Sequence, residues 1–253
     1  MYTINFLAHA IDKTSDYVYE SFLIPYAFFA WKNNPNSHIE IVVIDKDKFQ
    51  SHFSNEIEWL TSQNVNFLIR NQQKPMNRHL PNTYRFFEVP EVKAKYTYIC
   101  DIDIMLLESI LPHYEKNWPL NLPYNNKLRY RGVQRLTGVH MIKTELYYTP
   151  DWKQIQEKMY QVNESINDEF LLGEMCRVVH GLPPFSHRFR PILGIHFSPN
   201  RGPQKCMELE TSQHYYDLFQ SYFESYPELH KMKIFTDLKT QLETTFLIKS
   251  EGT

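Results

Sequence analysis

Glycine is scarce in this sequence, with 7 residues in a chain of 253. None of them forms a GxGxxG fingerprint or a Walker A lysine loop, the glycine-rich turns that hold phosphate groups in many nucleotide-binding proteins. If the ligand is a nucleotide, its phosphates must instead be held by a metal ion and by basic side chains. The sequence therefore excludes the common phosphate-binding loops and leaves a nucleotide ligand open.

Cysteine pairs, excess charge and long apolar runs are also lacking. The three cysteines (Cys100, Cys176 and Cys206) lie far apart, so neither a disulfide framework nor a zinc site is expected. The 27 basic and 29 acidic residues nearly balance, which gives no broad positive field for nucleic acid. No apolar run approaches the roughly 18 residues that span a membrane, and no signal peptide is recognised. We expect a cytoplasmic protein; peripheral attachment to the inner membrane and the oligomeric state stay open.

The stretch from residue 96 to 108 contains the strongest chemical signal. Aromatic and β-branched residues at 96–100 indicate a buried strand, which leads directly into Asp101 and Asp103. Alternation along an extended chain would place both carboxylates on the same side. Such carboxylates repel each other unless a cation joins them, and a hard divalent ion such as Mg²⁺ or Mn²⁺ is the natural partner. The alternative is a strand that ends at the surface, with both aspartates solvated.

The segments before this motif alternate between strand and helix patterns. Strands are predicted over residues 4–10, 39–44 and 65–69, and helices over 15–31 and 46–62, with a kink or break at Pro25. This β-α-β-α-β order predicts an α/β fold, a three-layer α/β/α sandwich with a mostly parallel central sheet. Such sheets bind ligands at the carboxyl ends of their strands, which is where Asp101 and Asp103 are expected.

The second half of the chain is less regular. Short helical segments are predicted over 84–89 and 107–111, a strand over 137–142, and helices over 151–162, from Asn167 onward and twice within 207–247. Residues 117–135 are predicted to be irregular, and they carry four basic side chains: Lys127, Arg129, Arg131 and Arg135. In one interpretation these cations meet an anionic acceptor, and in the other they are solvated loop residues.

The order of these segments resembles that of the GT-A glycosyltransferases, and more narrowly glycosyltransferase family 8, between residues 4 and 203. The resemblance rests on short motifs: Tyr84-Arg85-Phe86 before Asp101-Ile102-Asp103, Leu136-Thr-Gly-Val-His-Met-Ile142, Asn167-Asp-Glu-Phe170, and Ile195-His-Phe-Ser-Pro-Asn-Arg-Gly-Pro203. The sequence departs from the family pattern at Leu136, Glu169 and Phe170, and its last motif lacks the family's Lys-Pro-Trp. These departures indicate a distant relative.

The resemblance implies a GT-A catalytic domain over residues 1–205 and a C-terminal helical extension over 206–253, packed on the same domain. Within the catalytic domain, residues 1–108 would form a Rossmann-like nucleotide-sugar-binding half and residues 109–205 an acceptor-binding half. The implied activity is metal-dependent transfer of a hexose from a nucleotide sugar, with UDP-galactose and UDP-glucose favoured, to a saccharide or glycolipid acceptor. Mn²⁺ or Mg²⁺ is the implied cofactor, retention the implied stereochemistry, and cell-surface polysaccharide synthesis the implied process.

The resemblance also assigns roles to particular residues. Asp103 would bind the metal ion directly, and Asp101 would either bind the ion or accept a hydrogen bond from the ribose. His196 would be the third metal ligand, with a buried, hydrogen-bonded histidine as the alternative. Arg85 would contact the donor sugar or its diphosphate, Arg201 would close over the phosphates, and Tyr17 would stack on uracil. The alternatives are a surface ion pair for Arg85, a solvated loop cation for Arg201 and a core aromatic for Tyr17.

Asp168 and Glu169 are expected at the start of a helix, where they either stabilise the helix dipole or act on the sugar. In the second interpretation, Asp168 hydrogen-bonds the donor sugar and Glu169 faces the anomeric carbon. Glu169 is then a nucleophile or ion-pair stabiliser in a retaining reaction, or the base toward the acceptor hydroxyl in an inverting one.

Other functions remain as alternatives. Phosphatases of the haloacid dehalogenase kind also use an Asp-x-Asp motif, but on their first strand, whereas Asp101 and Asp103 follow three predicted strands. A nucleotidyltransferase is disfavoured because residues 8–14 are not a glycine-rich basic loop. A non-catalytic protein that binds nucleotide sugars on the same fold is the third alternative.

Overall fold

The computed structural model describes residues 1–11, 18–77, 79–130, 132–162, 164–189, 193–199 and 213–250. Strands are formed by Tyr2–His9 (β1), Ser37–Val43 (β2), Phe67–Asn71 (β3), Ala94–Asp101 (β4), Ile104–Leu106 (β5), Tyr124–Asn125 (β6), Leu128–Tyr130 (β7), Gln134–Leu136 (β8), His140–Lys143 (β9) and Gly194–His196 (β10). Helices are formed by Leu23–Asn33 (α1), Lys46–His52 (α2), Ser54–Ser62 (α3), Leu111–Lys116 (α4), Thr144–Tyr147 (α5), Pro150–Tyr160 (α6), Asp168–Val179 (α7), Gln213–Ser225 (α8) and Lys233–Ser250 (α9). Short 3₁₀ helices lie at Glu20–Phe22, Pro81–Phe86 and Pro227–Lys231.

The central sheet, as far as the described residues show it, has six strands in the order β3-β2-β1-β4-β9-β6. Strands β3, β2, β1 and β4 are mutually parallel, and β9 runs antiparallel to both of its neighbours, β4 and β6. His9 at the end of β1 pairs with Asp101 at the end of β4. The carboxyl ends of these two strands therefore lie side by side at one edge, and the predicted mostly parallel sheet is confirmed.

Helices cover both faces of this sheet. Phe6 and Tyr98 pack in one buried cluster with side chains of α1, α3, α8 and α9. Leu7 and Ile99 pack in a second buried cluster, with side chains of α6 and α7. Successive residues of a strand point to opposite faces, which is why neighbours such as Phe6 and Leu7 belong to different clusters. The predicted three-layer α/β/α sandwich with C-terminal helices is confirmed. None of the helices in the described ranges is long and apolar enough to cross a membrane.

Two helices differ from their predicted form. Residues 46–62 form two helices, α2 and α3, because Phe53 between them has φ of −104° and ψ of 31° and so leaves the helical conformation. The described part of the run predicted as a helix over 15–31 is divided into the 3₁₀ helix Glu20–Phe22 and α1, which begins at Leu23, so Pro25 lies in the first turn of α1. A first-turn residue has no partner for its N–H within the helix, so proline costs nothing there.

A buried ion-pair network joins the sheet to the segment that precedes β4. Arg70 donates hydrogen bonds to Glu40 at 2.6 Å and to Glu88 at 2.5 Å, and Asn5 donates to Glu40 at 2.6 Å. Burial alone would lower the pKa of Arg70, but the carboxylates of Glu40 and Glu88 raise it. Because each buried charge is paired and hydrogen-bonded, the network is tolerated in the interior. It fixes Glu88 beneath the carboxyl edge of the sheet.

Candidate metal centre and active site

Three side chains that can bind a metal ion converge at the carboxyl edge of the sheet. Asp101 is the last residue of β4, Asp103 lies in the turn that follows, and His196 ends β10. One ligand atom of each lies within 4.8 Å of those of the other two. The side chain of Asp101 is 28% exposed, whereas Asp103 and His196 are buried. The group is therefore open to a ligand on the Asp101 side.

Pairing between β5 and β10 carries His196 to the aspartates. In this antiparallel ladder His196 is the partner of Ile104, the residue directly after Asp103. The N–H of Phe197 also donates to the carbonyl oxygen of Asp103 at 3.0 Å. A Cβ atom on Gly194 would overlap the backbone of β5, so the close approach of the two strands requires glycine there.

Two predictions at this motif are wrong. The chain does not stay extended from Asp101 through Asp103, because it turns where Ile102 buries its side chain in the core. The carboxylates are close because of this turn and not because of strand alternation. The helical turn predicted over 107–111 is also absent: β5 ends at Leu106, and α4 begins at Leu111 with Pro112 in its first turn.

The chemistry of the three side chains fits a divalent cation. Asp103 Oδ1 is buried, has no hydrogen-bond partner among the described residues, and lies 3.3 Å from His196 Nε2. Burying a carboxylate oxygen in this way is costly unless a positive charge reaches it. Carboxylate and imidazole ligands together suit Mn²⁺ and several other divalent metals, so the arrangement is compatible with such an ion without identifying it. Ser198 Oγ also lies 3.1 Å from His196 Nε2, so the histidine is hydrogen-bonded as well.

Arg85 connects the carboxyl edge of the sheet to helix α7. It lies in the 3₁₀ helix before β4, is buried, and donates one hydrogen bond to Asp101 and another, of 2.8 Å, to Asp168. Burial alone would lower the pKa of Arg85, but the carboxylates of Asp101 and Asp168 raise it above its ordinary value. Arg85 is therefore a buried bridge between two carboxylates, and its alternative as a surface ion pair is wrong.

Gly138 makes room for this bridge. A Cβ atom at position 138 would lie 2.5 Å from Arg85 Nη2 and 3.6 Å from Asp101 Oδ2. Real Cβ atoms do not approach other atoms so closely, so a larger residue would push the guanidinium group away. Gly138 belongs to the Leu136–Ile142 motif that carries the resemblance, which was the only sequence signal for its importance.

Asp168 and Glu169 both lie in the first turn of α7, but they contact different partners. Asp168 is bound to Arg85 and so is linked to Asp101 at the carboxyl edge of the sheet. Glu169 lies 3.2 Å from Arg129 and 3.3 Å from Arg135, which are cross-strand partners in the β7–β8 hairpin. The two arginines are therefore ordered by an acidic partner, although their segment was predicted to be irregular.

His9 lies at the same edge of the sheet, and the sequence patterns did not single it out. It ends β1 in register with Asp101, is buried, and its Nε2 lies 3.6 Å from Glu88 Oε1. Burial lowers the pKa of His9, although Glu88 opposes this shift. Its place at the end of the first predicted strand was the available signal, since the carboxyl ends of parallel strands share one edge.

The structure thus joins Asp101, Asp103, His196, Arg85 and Asp168 in one group, with Glu169 next to Asp168 but facing the β7–β8 hairpin. Tyr17 and Arg201, which were predicted to contact the nucleotide sugar, lie outside the described residues.

Comparison with known proteins finds low structural similarity to several solved structures. No protein-family model matches the sequence, and no curated protein matches it significantly. Among solved structures, the chain is similar to the glycosyltransferase GlyE of Streptococcus pneumoniae TIGR4, with 16% identity and a TM-score of 0.47 over 71% of this chain and 44% of that one. It is similar to mouse xyloside xylosyltransferase 1, with 8% identity and a TM-score of 0.42 over 71% of this chain and 82% of that one.

A third similar structure is 4-diphosphocytidyl-2C-methyl-D-erythritol synthase from Anaerococcus prevotii DSM 20548, with 8% identity and a TM-score of 0.42 over 73% of this chain and 93% of that one. The match to GlyE spans less than half of GlyE's own length. At these TM-scores and identities the likenesses establish no shared activity, and the resemblance to glycosyltransferase family 8 stays a resemblance. Function has to be argued from this chain's own side chains.

Proposed function

We propose that this chain is a divalent-metal-dependent glycosyltransferase. It transfers a hexose from a nucleotide sugar, with UDP-galactose or UDP-glucose favoured, to a saccharide or glycolipid acceptor. The observation that supports this is the convergence of Asp101, Asp103 and His196 at the carboxyl ends of parallel strands, beside the buried Arg85. Retention of configuration, a cytoplasmic location and a role in cell-surface polysaccharide synthesis belong to the same proposal. So does the division into residues 1–108 for the donor, 109–205 for the acceptor and 206–253 as a packed helical extension.

Departure of a nucleoside diphosphate requires its negative charge to be neutralised as the glycosidic bond breaks. A divalent ion bound by Asp101, Asp103 and His196 would supply that charge as a Lewis acid. Arg85 holds Asp101 in a fixed orientation through its hydrogen bond, so that this carboxylate is ordered before the donor arrives. Tyr17 and Arg201 are proposed to contact uracil and the phosphates, respectively.

At the sugar, Asp168 is proposed to accept a hydrogen bond from a donor hydroxyl group. Its bond to Arg85 ties it to the same edge as the metal ligands. Glu169 is proposed to face the anomeric carbon, as nucleophile or ion-pair stabiliser in the retaining reaction. In the structure its carboxylate is held by Arg129 and Arg135, so this role requires it to leave those partners.

Calorimetric titration with UDP tests the proposal. We expect UDP to bind in the presence of Mn²⁺ and not in the presence of EDTA. Without the ion, the carboxylates of Asp101 and Asp103 would repel the diphosphate. A parallel screen of UDP- and GDP-sugars for Mn²⁺-dependent hydrolysis identifies the donor. UDP binding that is equally tight with and without metal would contradict the proposed metal role.

The alternatives make different predictions in the same assays. A haloacid-dehalogenase-like phosphatase that uses Asp101 and Asp103 would hydrolyse p-nitrophenyl phosphate without any sugar nucleotide. The contact between Asp103 and His196 favours a role of Asp103 in metal binding over a role in phosphatase catalysis. A non-catalytic binding protein would bind UDP with Mn²⁺ but would hydrolyse no donor and transfer no sugar.

Substitution of Gly138 tests the contribution of the Arg85 bridge. We expect Gly138→Ala to weaken Mn²⁺-dependent UDP binding about tenfold or more. The new Cβ would meet Arg85 Nη2, which donates to Asp168, and would so displace the guanidinium group whose Nη1 donates to Asp101. Calorimetry with UDP and Mn²⁺ measures the change. The matched control is Gly181→Ala, whose new Cβ would meet no atom within 4 Å and would strain only a φ of 84°. Wild-type affinity in Gly138→Ala would show that the bridge does not order the donor site.

A further inference from the structure

The segment that carries His196 continues into a serine with an unusual backbone conformation. Ser198 has a φ of 46°, in the left-handed region that residues other than glycine and asparagine rarely adopt. Leu193, with a φ of 53°, directly precedes β10, so residues of this kind lie on both sides of that strand. Strained positions persist where the surrounding structure imposes them, and they cluster at ligand-binding sites. The backbone at Ser198 therefore directs attention to the side chain that it carries.

The fold holds this serine beside the candidate metal ligands. The N–H of Phe197 donates to the carbonyl oxygen of Asp103 at 3.0 Å, and the ring of Phe197 is buried against that of Phe22. Ser198 is buried as well, and its Oγ lies 3.1 Å from His196 Nε2, its hydrogen-bond partner among the described residues. The same nitrogen faces Asp103 Oδ1. The hydroxyl group is thus fixed at the atom that the metal ion needs.

The separations between these atoms match those between neighbouring ligands of one ion. Two ligands at right angles in an octahedral shell with a radius of about 2.0–2.1 Å lie roughly 3 Å apart. Asp103 Oδ1 and Ser198 Oγ lie 3.3 Å and 3.1 Å, respectively, from His196 Nε2. A hydroxyl oxygen is a hard ligand, and serine or threonine hydroxyl groups bind Mg²⁺ in phosphate-binding loops. Ser198 therefore has the atom type and the position of a metal ligand.

We propose that Ser198 Oγ is a fourth protein ligand of the divalent ion, together with Asp101, Asp103 and His196. In the structure its hydroxyl group is hydrogen-bonded to His196 Nε2. With the ion bound, Nε2 and Oγ each direct a lone pair to the metal, and the hydroxyl proton stays on Oγ. Because this ligand is neutral, it leaves the positive charge of the ion available to the diphosphate. The inference rests on the metal ion of the proposed function and adds a residue that selects hard ions.

Replacement of the hydroxyl group by a thiol tests direct ligation, because sulfur ligands select soft metals. Ser198→Cys should bind Mn²⁺ about tenfold more weakly than wild type and Cd²⁺ about tenfold more tightly. Ser198→Ala, which has no ligand atom, should bind Mn²⁺ about tenfold more weakly. Ser198→Gly should do the same and also relieves the backbone strain, so one variant without the hydroxyl group keeps a favourable backbone. Free Mn²⁺ is measured by electron paramagnetic resonance, and Cd²⁺ binding by the ultraviolet absorption of the Cd²⁺–thiolate bond.

Ser62→Cys is the matched control, because Ser62 is an exposed serine at the end of α3. It should bind Mn²⁺ as wild type does and give a much weaker thiolate absorption at the same Cd²⁺ concentration. Wild-type Mn²⁺ affinity in Ser198→Ala and Ser198→Gly would overturn the ligand assignment.

An absence of Cd²⁺–thiolate absorption in Ser198→Cys would overturn it too, because a serine that merely orients His196 gives that result. If Ser198→Cys shows the absorption but UDP does not bind to wild type with Mn²⁺, the proposed function fails and the ligand assignment stands. If UDP binds with Mn²⁺ and Ser198→Ala keeps wild-type Mn²⁺ affinity, the ligand assignment alone fails.

Discussion

Asp103→Asn is expected to lower the affinity for Mn²⁺ by more than about 100-fold, since even residues that only orient a metal ligand account for about 10- to 100-fold. The substitution keeps the shape of the side chain and removes its charge. Loss of the ion should abolish Mn²⁺-dependent UDP binding and, with it, sugar transfer. The affinity is measured from the loss of the free Mn²⁺ signal in electron paramagnetic resonance.

Asp103→Asn also shows whether Asp103 is a metal ligand or one half of a structural ion pair with His196. Asp103 Oδ1 is buried without a hydrogen-bond partner among the described residues, so asparagine at this position should leave the metal-free protein at least as stable as wild type. If the contact with His196 is a structural ion pair, the free energy of unfolding in EDTA will fall instead. Asp151→Asn, at an exposed position in the first turn of α6, serves as the control. Wild-type Mn²⁺ affinity in Asp103→Asn would refute the assignment.

Arg85→Met is expected to lower the free energy of unfolding by about 3–5 kcal/mol, the usual cost of removing one partner of a buried ion pair. The cost arises because Asp101 and Asp168 lose the shared guanidinium group and are left close together as like charges. Unfolding in urea near pH 7, without metal, measures the change. Donor binding should fall as well, since Asp101 loses the hydrogen bond that orients it.

Two comparisons sharpen this result. Adding Asp168→Asn to Arg85→Met should restore part of the lost stability, because it removes one of the two repelling charges. Arg177→Met, which breaks an exposed pair with Glu174, should cost less than about 1 kcal/mol. If Arg85→Met lowers the free energy of unfolding as little as Arg177→Met does, Asp101 and Asp168 must find other partners. The Arg85 bridge would then not be needed for stability.

The sheet was predictable because its strands are long enough to show a pattern. The mostly apolar runs in β1 and β2 are local properties of the sequence, and the helix between them imposes a parallel arrangement. The pairing of β5 with β10 could not be predicted in the same way. Each of these strands has three residues, too few for a measurable period, and they are far apart in the sequence.

The candidate site was predictable to the same extent as the sheet: residues next to a long strand could be found, and contacts between distant segments could not. Asp101 and Asp103 were found because they adjoin a recognisable strand, whereas the hydrogen bond between Arg85 and Asp168 joins residues 83 positions apart. No local pattern reports such a bond. Arg129 and Arg135 were seen as basic residues, but their convergence on Glu169 depends on a hairpin whose strands are also three residues long. Burial likewise distinguished Arg85 from an ordinary surface arginine only once its surroundings were known.

The antiparallel direction of β9 has a consequence for how this protein can diversify. Because Ile99 of β4 pairs with His140 of β9, the chain that leaves the sheet after β4 comes back beside its point of departure. Both ends of the excursion, the segment between β4 and β9, are therefore held in the sheet. When the ends of a loop are already fixed, the entropic cost of lengthening it grows only logarithmically with its length. The β7–β8 hairpin lies within this excursion, so evolution or a protein engineer can exchange the hairpin as a cassette while the strands that hold Asp101 keep their register.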